Sequence, residues 1–204
     1  MGRRSAHTPE QLRELIITSA RDIISTNGLA GVSAREIARK IGYSPGTLYN
    51  LFESLDDLLL HVEARLLDTL DQKLADVAPE SSPDEHLKQV VGAYTDFCRQ
   101  HPNLCNMITQ HALPRGTPAP SWYLDKLERI LGRIEFALGP LITKDEGKAT
   151  AVKLSSRVIW AGLQGILTVS TTEKLSSLGY GSVGTMTDDF VTFYLAGLRN
   201  TQPN

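Results

Sequence analysis

At 204 residues the chain can bury a sizeable core and hold one domain or two. Two cysteines exclude a disulfide framework, and the absence of any run of about 18 apolar residues excludes a membrane-spanning helix. The formal net charge of -2 argues against a nucleic-acid binder only until its distribution is read: residues 1–50 carry seven Lys or Arg against four Asp or Glu, and the remainder is acidic. The opening Met-Gly-Arg-Arg-Ser leads into polar residues and not a secretory apolar core, so the expected location is cytoplasmic.

Arg3 and Arg4 read as a solvated tail, with reach into a minor groove as the alternative. Thr8-Pro-Glu-Gln11 supplies an N-cap, a first-turn proline and a capping-box glutamine, so a helix begins there. Leu15, Ile16, Ala20, Ile23 and Ile24 recur at helical spacing until Asn27-Gly28 stops the run. Ser33 and Glu36 form a second capping box. Ile37, Ala38 and Ile41 line the short helix that follows, and Gly42 can take the left-handed conformation that ends it. Ser44 is the next N-cap and Pro45 fits the first helical position. Two short helices joined through a glycine make a helix-turn-helix, whose second helix presents its N-terminal residues to the DNA major groove. That assigns DNA contact to Arg35, Ser44, Pro45, Gly46, Thr47, Tyr49 and Asn50. Gly46 permits close backbone approach, and the others offer hydroxyl, amide or cationic groups to phosphates and base edges. Ile41, Leu48 and Phe52 are the expected partners of the first helix in a three-helix core of about 45 residues, too small to be comfortable alone.

The run Gly-Tyr-Ser-Pro-Gly-Thr-Leu-Tyr-Asn-Leu-Phe, preceded by Ala-Arg-Glu-Ile-Ala and followed by Leu-Asp-Asp-Leu, resembles the DNA-binding domain of the TetR family of bacterial transcriptional regulators. Two positions depart from the pattern. Leu51 stands where a basic or histidine side chain is common, and Leu55 where lysine is, which would move phosphate contacts toward Arg35, Arg39 and Lys40.

Ser54 caps a long helix with Asp56 and Asp57 in its first turn. Leu55, Leu58, Leu59, Val62, Leu66, Leu70 and Leu74 mark its apolar face. After the break at Ala78–Pro83, Leu87, Val90, Val91, Tyr94, Phe97 and Cys98 form a helical face that ends at His101-Pro102. A short helix with Leu104, Met107 and Ile108 precedes the rigid loop Pro114–Pro120. Leu124 to Leu138 make another amphipathic helix, closed by Gly139-Pro140. Thr143 to Glu146 forms a capping box opening a helix over 144–172, and the final helix spans 187–199. The result is an all-α fold of about nine helices: a helix-turn-helix domain over 1–53 and a larger helical domain over 54–204, to which the resemblance gives ligand binding and dimerisation, with 54–77 as connector.

Residues 156–165 resemble a tryptophan and glycine signature of one TetR subgroup, with Gln164 where histidine is common. Gly162 and Gly165 each cost helix propensity, about 1 kcal/mol relative to alanine, and close approach of another helix would explain them. The resemblance implies a homodimer in which this helix and the last pair with their symmetry mates, through Val158, Gly162, Gly165, Phe190, Tyr194 and Leu198. It also implies a pocket for an unidentified small-molecule effector, with Tyr94, Phe97, Met107, His111, Trp122, Trp160 and Gln164 as lining residues that would otherwise be plain core. Cys98, His101, Cys105 and His111 match no usual zinc spacing, so no metal is expected. Gly147-Lys148 lacks the upstream glycine of a phosphate loop, so no cofactor is expected either. No nucleophile has a recognisable base neighbour, so an enzyme is the weakest reading, and the resemblance implies a ligand-released repressor on a double-stranded, near-palindromic operator. A helical interaction module with weakened DNA binding is the alternative that Leu51 and Leu55 suggest.

Overall fold

A computed structural model describes residues 7–79, 82–143, 146–172, 179 and 181–200. These residues form nine α-helices and two 3-10 turns: α1 (Pro9–Asn27), a turn (Leu29–Gly31), α2 (Ala34–Ile41), α3 (Pro45–Tyr49), α4 (Leu55–Ala75), α5 (Pro83–Gln100), α6 (Pro102–Gln110), α7 (Ser121–Leu138), a turn (Gly139–Leu141), α8 (Lys148–Thr171) and α9 (Val183–Asn200). No described residue lies in a strand, and the all-α expectation holds. Arg3 and Arg4 lie outside the described residues.

The caps explain most boundaries. The Thr8 hydroxyl accepts from the amide of Gln11 at 3.2 Å, while the Gln11 side chain accepts from the amide of Thr8 at 2.9 Å. Gly42 ends α2 with φ 75° and ψ 29°, and the amide of Tyr43 closes back on the carbonyl of Ala38 at 3.0 Å. Two expected caps are only half formed. Ser33 accepts from the amide of Glu36 at 3.1 Å, but the Glu36 carboxylate is taken by Arg39 one turn on and does not reach back. Ser44 stands at the N-cap of α3 without capping it, because its hydroxyl pairs with that of Thr47 at 3.1 Å.

The chain divides into two compact units. The first runs to Leu66 and takes back His101–Tyr123; the second holds Leu67–Gln100 and Leu124 onward. These units do not follow a boundary between residues 53 and 54, and the reason is packing. The three-helix core, with Ile16, Ile24 and Ile37 fully enclosed and Leu48 and Phe52 at 2% and 3% exposure, is enlarged by α6, which lies on α1 and on the first 3-10 turn. Asn103 on α6 donates to the carbonyl of Ser25 at 2.9 Å. The first turns of α4 serve the same unit: Leu58, Leu59 and Val62 are buried as expected, and so are Leu60, Glu63 and Ala64, so this segment is covered on more than one face.

In the second unit Leu87, Val90, Val91, Tyr94, Phe97 and Cys98 are all buried, as the spacing requires. Charge pairs run along the helices, with Asp68 accepting from Lys126 and Arg129, Asp71 from Arg133, and Glu128 and Glu135 from Arg157. Leu124, expected on the buried face of α7, is 46% exposed. The helix expected from Thr143 begins instead at Lys148, behind Gly147 in the left-handed region (φ 72°), with no side-chain cap. Of the proposed capping box, Lys144 and Asp145 lie outside the described residues. α9 starts at Val183 and not 187, because Ser182 accepts from the amide of Thr185 at 3.1 Å.

Gly162 has its explanation inside the protomer. A β-carbon there would stand 2.3 Å from Cζ of Phe190 and within 3.0 Å of both Cε atoms, so α8 and α9 approach over a missing side chain. Gly162→Ala should destabilise the fold. Alanine's propensity gain is about 1 kcal/mol, whereas overpacking costs about 1–3 kcal/mol. The urea midpoint should fall, and adding Phe190→Leu should restore it; a midpoint raised by Gly162→Ala alone would contradict the contact.

Candidate nucleic-acid interface

α3 is five residues long, and only Leu48 anchors it in the core. Ser44, Pro45, Gly46, Tyr49 and Asn50 are exposed, Tyr49 at 54%, and Thr47 is half-buried against Ser44. A tyrosine so exposed on so short a helix contributes little to the core, leaving its ring and hydroxyl for an outside partner. Arg35, in the first turn of α2, is exposed as well. The residues assigned to DNA contact therefore all lie at the surface of one unit, on α2, α3 and their flanks.

The surrounding cations differ in availability. Arg39 is held by Glu36, which draws that carboxyl below the usual carboxylate range and raises the guanidinium. Lys40 pairs with Asp22 at 3.2 Å. Arg35 makes no ion pair among the described residues. Exposed pairs are screened by solvent and weak, so Arg39 and Lys40 can exchange their partners for a phosphate at little cost, and Arg35 needs no exchange.

Arg13, which the sequence patterns did not single out, fixes the far end of α3. Its guanidinium donates to the carbonyl of Leu51 at 2.5 Å, lies 4.2 Å from the centre of the Phe52 ring, and donates to Nε2 of His61 at 2.6 Å. It satisfies a carbonyl just beyond α3, where no helical amide follows. Leu51, at the position where a cation was expected, supplies this acceptor through its backbone. Arg13→Met keeps the stem on Phe52 and removes the donors. It should cost about 1.5–3 kcal/mol, the range for hydrogen bonds to a charged group, and should speed hydrogen exchange at Leu51 and Phe52. An unchanged exchange rate there would remove this role.

The same unit contains a buried ionisable cluster. Glu63 is 1% exposed and accepts from the hydroxyl of Tyr123 at 2.5 Å; its other oxygen is 2.7 Å from Nδ1 of His111, whose Nε2 is 3.2 Å from Asp56. The Glu63 hydrogen bond raises the pKa of His111 despite burial, with Asp56 adding to the effect. Burial, then the Glu63 charge, push Tyr123 far upward, so it remains a hydroxyl donor. Glu63 and Tyr123 were missed because a lone acid on a leucine-rich helix face gives no periodic signal.

The seven residues assigned to a ligand do not share one unit. Met107, His111 and Trp122 belong to the first, where Trp122 stacks on His61 with centroids 4.7 Å apart. Tyr94, Phe97, Trp160 and Gln164 belong to the second, where the Tyr94 hydroxyl donates to Gln164 at 2.9 Å. Of the residues assigned to a dimer, Val158 is 46% exposed and Gly165 is exposed, whereas Gly162 is covered by Phe190 and Phe190, Tyr194 and Leu198 are half-buried. Leu154 and Phe193, which were not assigned, are more exposed, at 63% and 73%. Leu154, Val158, Ala161 and Gly165 follow helical spacing, a signal that could have found the first. No described helix is long and apolar enough to cross a membrane.

Residues 16–62 match the family model described as bacterial regulatory proteins, tetR family. The chain is 27% identical over 120 residues to an uncharacterized HTH-type transcriptional regulator of Mycobacterium tuberculosis, a match covering 58% of this chain and 54% of that one. It spans about half the length of the relatives it matches by sequence. A Rhodococcus protein of unknown function has a similar fold, with TM-score 0.71 at 20% identity over 96% of this chain and 98% of that one. So does the Bacillus subtilis transcriptional regulator FadR in complex with stearoyl-CoA, with TM-score 0.62 at 19% identity over 90% and 98%. With a helix-turn-helix of this geometry and a family model matching across it, residues 16–62 are a DNA-binding domain of the kind that defines the tetR family of bacterial regulatory proteins, and the all-helical fold of the whole is shared with the two solved structures above.

Proposed function

We propose that this protein is a homodimeric, cytoplasmic repressor that a small molecule releases from a near-palindromic operator. The observation that carries the reading is the edge of α3, where Ser44, Pro45, Gly46, Tyr49 and Asn50 face outward while Leu48 alone holds the helix. Arg35, Ser44, Pro45, Gly46, Thr47, Tyr49 and Asn50 are the proposed DNA contacts.

Dimerisation is supported by the apolar side chains that α8 and α9 leave exposed, Leu154, Val158 and Phe193. We assign Val158, Gly165, Tyr194 and Leu198 to the same interface, with Gly162 and Phe190 shaping it from within the protomer. A two-fold dimer needs two half-sites about 34–36 Å apart, or a multiple of that spacing. An effector is supported by the stearoyl-CoA complex of the FadR neighbour and by the polar pair Tyr94–Gln164 beside apolar helix faces. Of the seven residues assigned to the effector, Tyr94, Phe97, Trp160 and Gln164 are the proposed contacts in the second unit, and Met107, His111 and Trp122 those in the first. A coupling of about 1–3 kcal/mol would change operator occupancy 5- to 150-fold.

The test is a gel shift with the DNA upstream of the gene, at several salt concentrations, alongside sedimentation equilibrium. A sequence-dependent band that weakens with salt and a dimer mass are the expected results. A monomer without such a band would leave the interaction-module reading, which Leu51 and Leu55 favour by thinning the phosphate contacts.

A further inference from the structure

A cleft of about 380 Å³ opens in the second unit among the end of α4, the first half of α5 and the middle of α7, with Leu74, His86, Val90, Arg129, Arg133 and Phe136 in its walls. Leu74 and Val90 give it a buried apolar floor, each 2% exposed. Three nitrogen-bearing side chains stand around that floor.

His86 is the anomaly. It is only 7% exposed, yet its ring makes no hydrogen bond or ion pair with any described residue. It is also absent from the buried groups cut off from every partner, of which Thr187 is the one found among the described residues, so its ring nitrogens remain accessible from the cleft it lines. A molecule in the cleft can therefore hydrogen-bond that ring in place of water. Phe136 packs edge-on against the imidazole, with centroids 5.9 Å apart at 83°, and is itself 67% exposed. The packing of the unit does not require so open an aromatic.

The charges point the same way. Lys126 and Arg129 share Asp68, at 2.6 and 2.9 Å, and Arg133 pairs with Asp71 at 2.8 Å. Of these groups Arg129 and Arg133 line the cleft, while the carboxylates they pair with lie outside its lining. A wall with two guanidinium groups and an imidazole attracts a small anion. The volume lies near the lower end of the roughly 300–1,000 Å³ usual for small-molecule sites.

We infer that this cleft binds a small carboxylic acid with an aromatic or short aliphatic body, its carboxylate between Arg129, Arg133 and His86 and its body on Leu74, Val90 and Phe136. None of Tyr94, Phe97, Trp160 and Gln164 lines it, so it is a different site from the effector contacts proposed above. It does not depend on DNA binding.

The experiment is calorimetric titration of the full chain, without DNA, with 4-phenylbutanoate and octanoate and with their uncharged amides. One acid should bind saturably with one site per protomer, and its amide should bind at least about tenfold more weakly. Arg129→Gln, which leaves Lys126 on Asp68, and His86→Leu should each weaken the acid about tenfold, while Tyr94→Phe should leave it unchanged. No saturable binding of either acid at millimolar concentration, equal binding of acid and amide, or sensitivity to Tyr94→Phe in place of Arg129→Gln would each overturn the assignment.

Discussion

Replacing His111 with alanine is expected to destabilise the N-terminal unit by about 3–5 kcal/mol, because it leaves Glu63 with one donor fewer in a site only 1% exposed. The remaining donor is Tyr123, and one hydroxyl cannot replace both its own hydrogen bond and a charge-assisted one. The loss should be pH-dependent in wild type. The folded state binds the imidazolium more tightly than the unfolded chain does, so the contribution is complete below the ordinary histidine pKa of about 6.5 and fades as pH climbs through the raised value. Urea denaturation from pH 5 to 9 should therefore show wild-type stability falling on the alkaline side, a slope absent in His111→Ala. Removing the pair together, as Glu63→Leu with His111→Leu, should recover much of the deficit, since apolar replacement of a buried pair is often neutral. A deficit under about 1 kcal/mol in His111→Ala would mean that water reaches Glu63 and the cluster is not buried as described.

At the proposed DNA surface, Tyr49→Ala is expected to cost about 1–3 kcal/mol of operator binding, or roughly 5- to 150-fold, without a matching loss of stability. The separation follows from position: Tyr49 is 54% exposed and neighbouring Leu48 does the anchoring. Arg35→Ala should behave differently, weakening specific and nonspecific DNA alike and reducing the salt slope by about one, the signature of a single phosphate contact. Fluorescence anisotropy with operator and scrambled duplexes at several salt concentrations distinguishes the two. Equal operator affinity for wild type and Tyr49→Ala would remove α3 from the interface. A loss confined to the operator in Arg35→Ala would turn its phosphate role into base reading.

These two expectations differ in how they could be found. Tyr49 and its neighbours are legible because their information is local: a cap, a proline, a glycine that tolerates positive φ and one leucine per turn lie within a dozen residues. The helix order and the buried face of α5 were equally readable, since apolar spacing at 3.6 residues per turn reports which side of a helix is covered. The His111 cluster is not of that kind. Glu63, His111 and Tyr123 are 48 and 60 positions apart in pairs, and only folding makes their burial mutual.

Local chemistry in the chain was sufficient for the all-α class, the helix-turn-helix and its outward-facing edge, because caps, turns and helical periodicity act over a few residues. Tertiary structure decided that α6 returns to the first unit, that Phe190 occupies the space Gly162 vacates, that Arg13 holds the end of α3, and that a buried histidine lines an open cleft. Each depends on close packing between segments far apart in sequence, where sub-ångström fit and shared burial, not propensity, determine which groups meet.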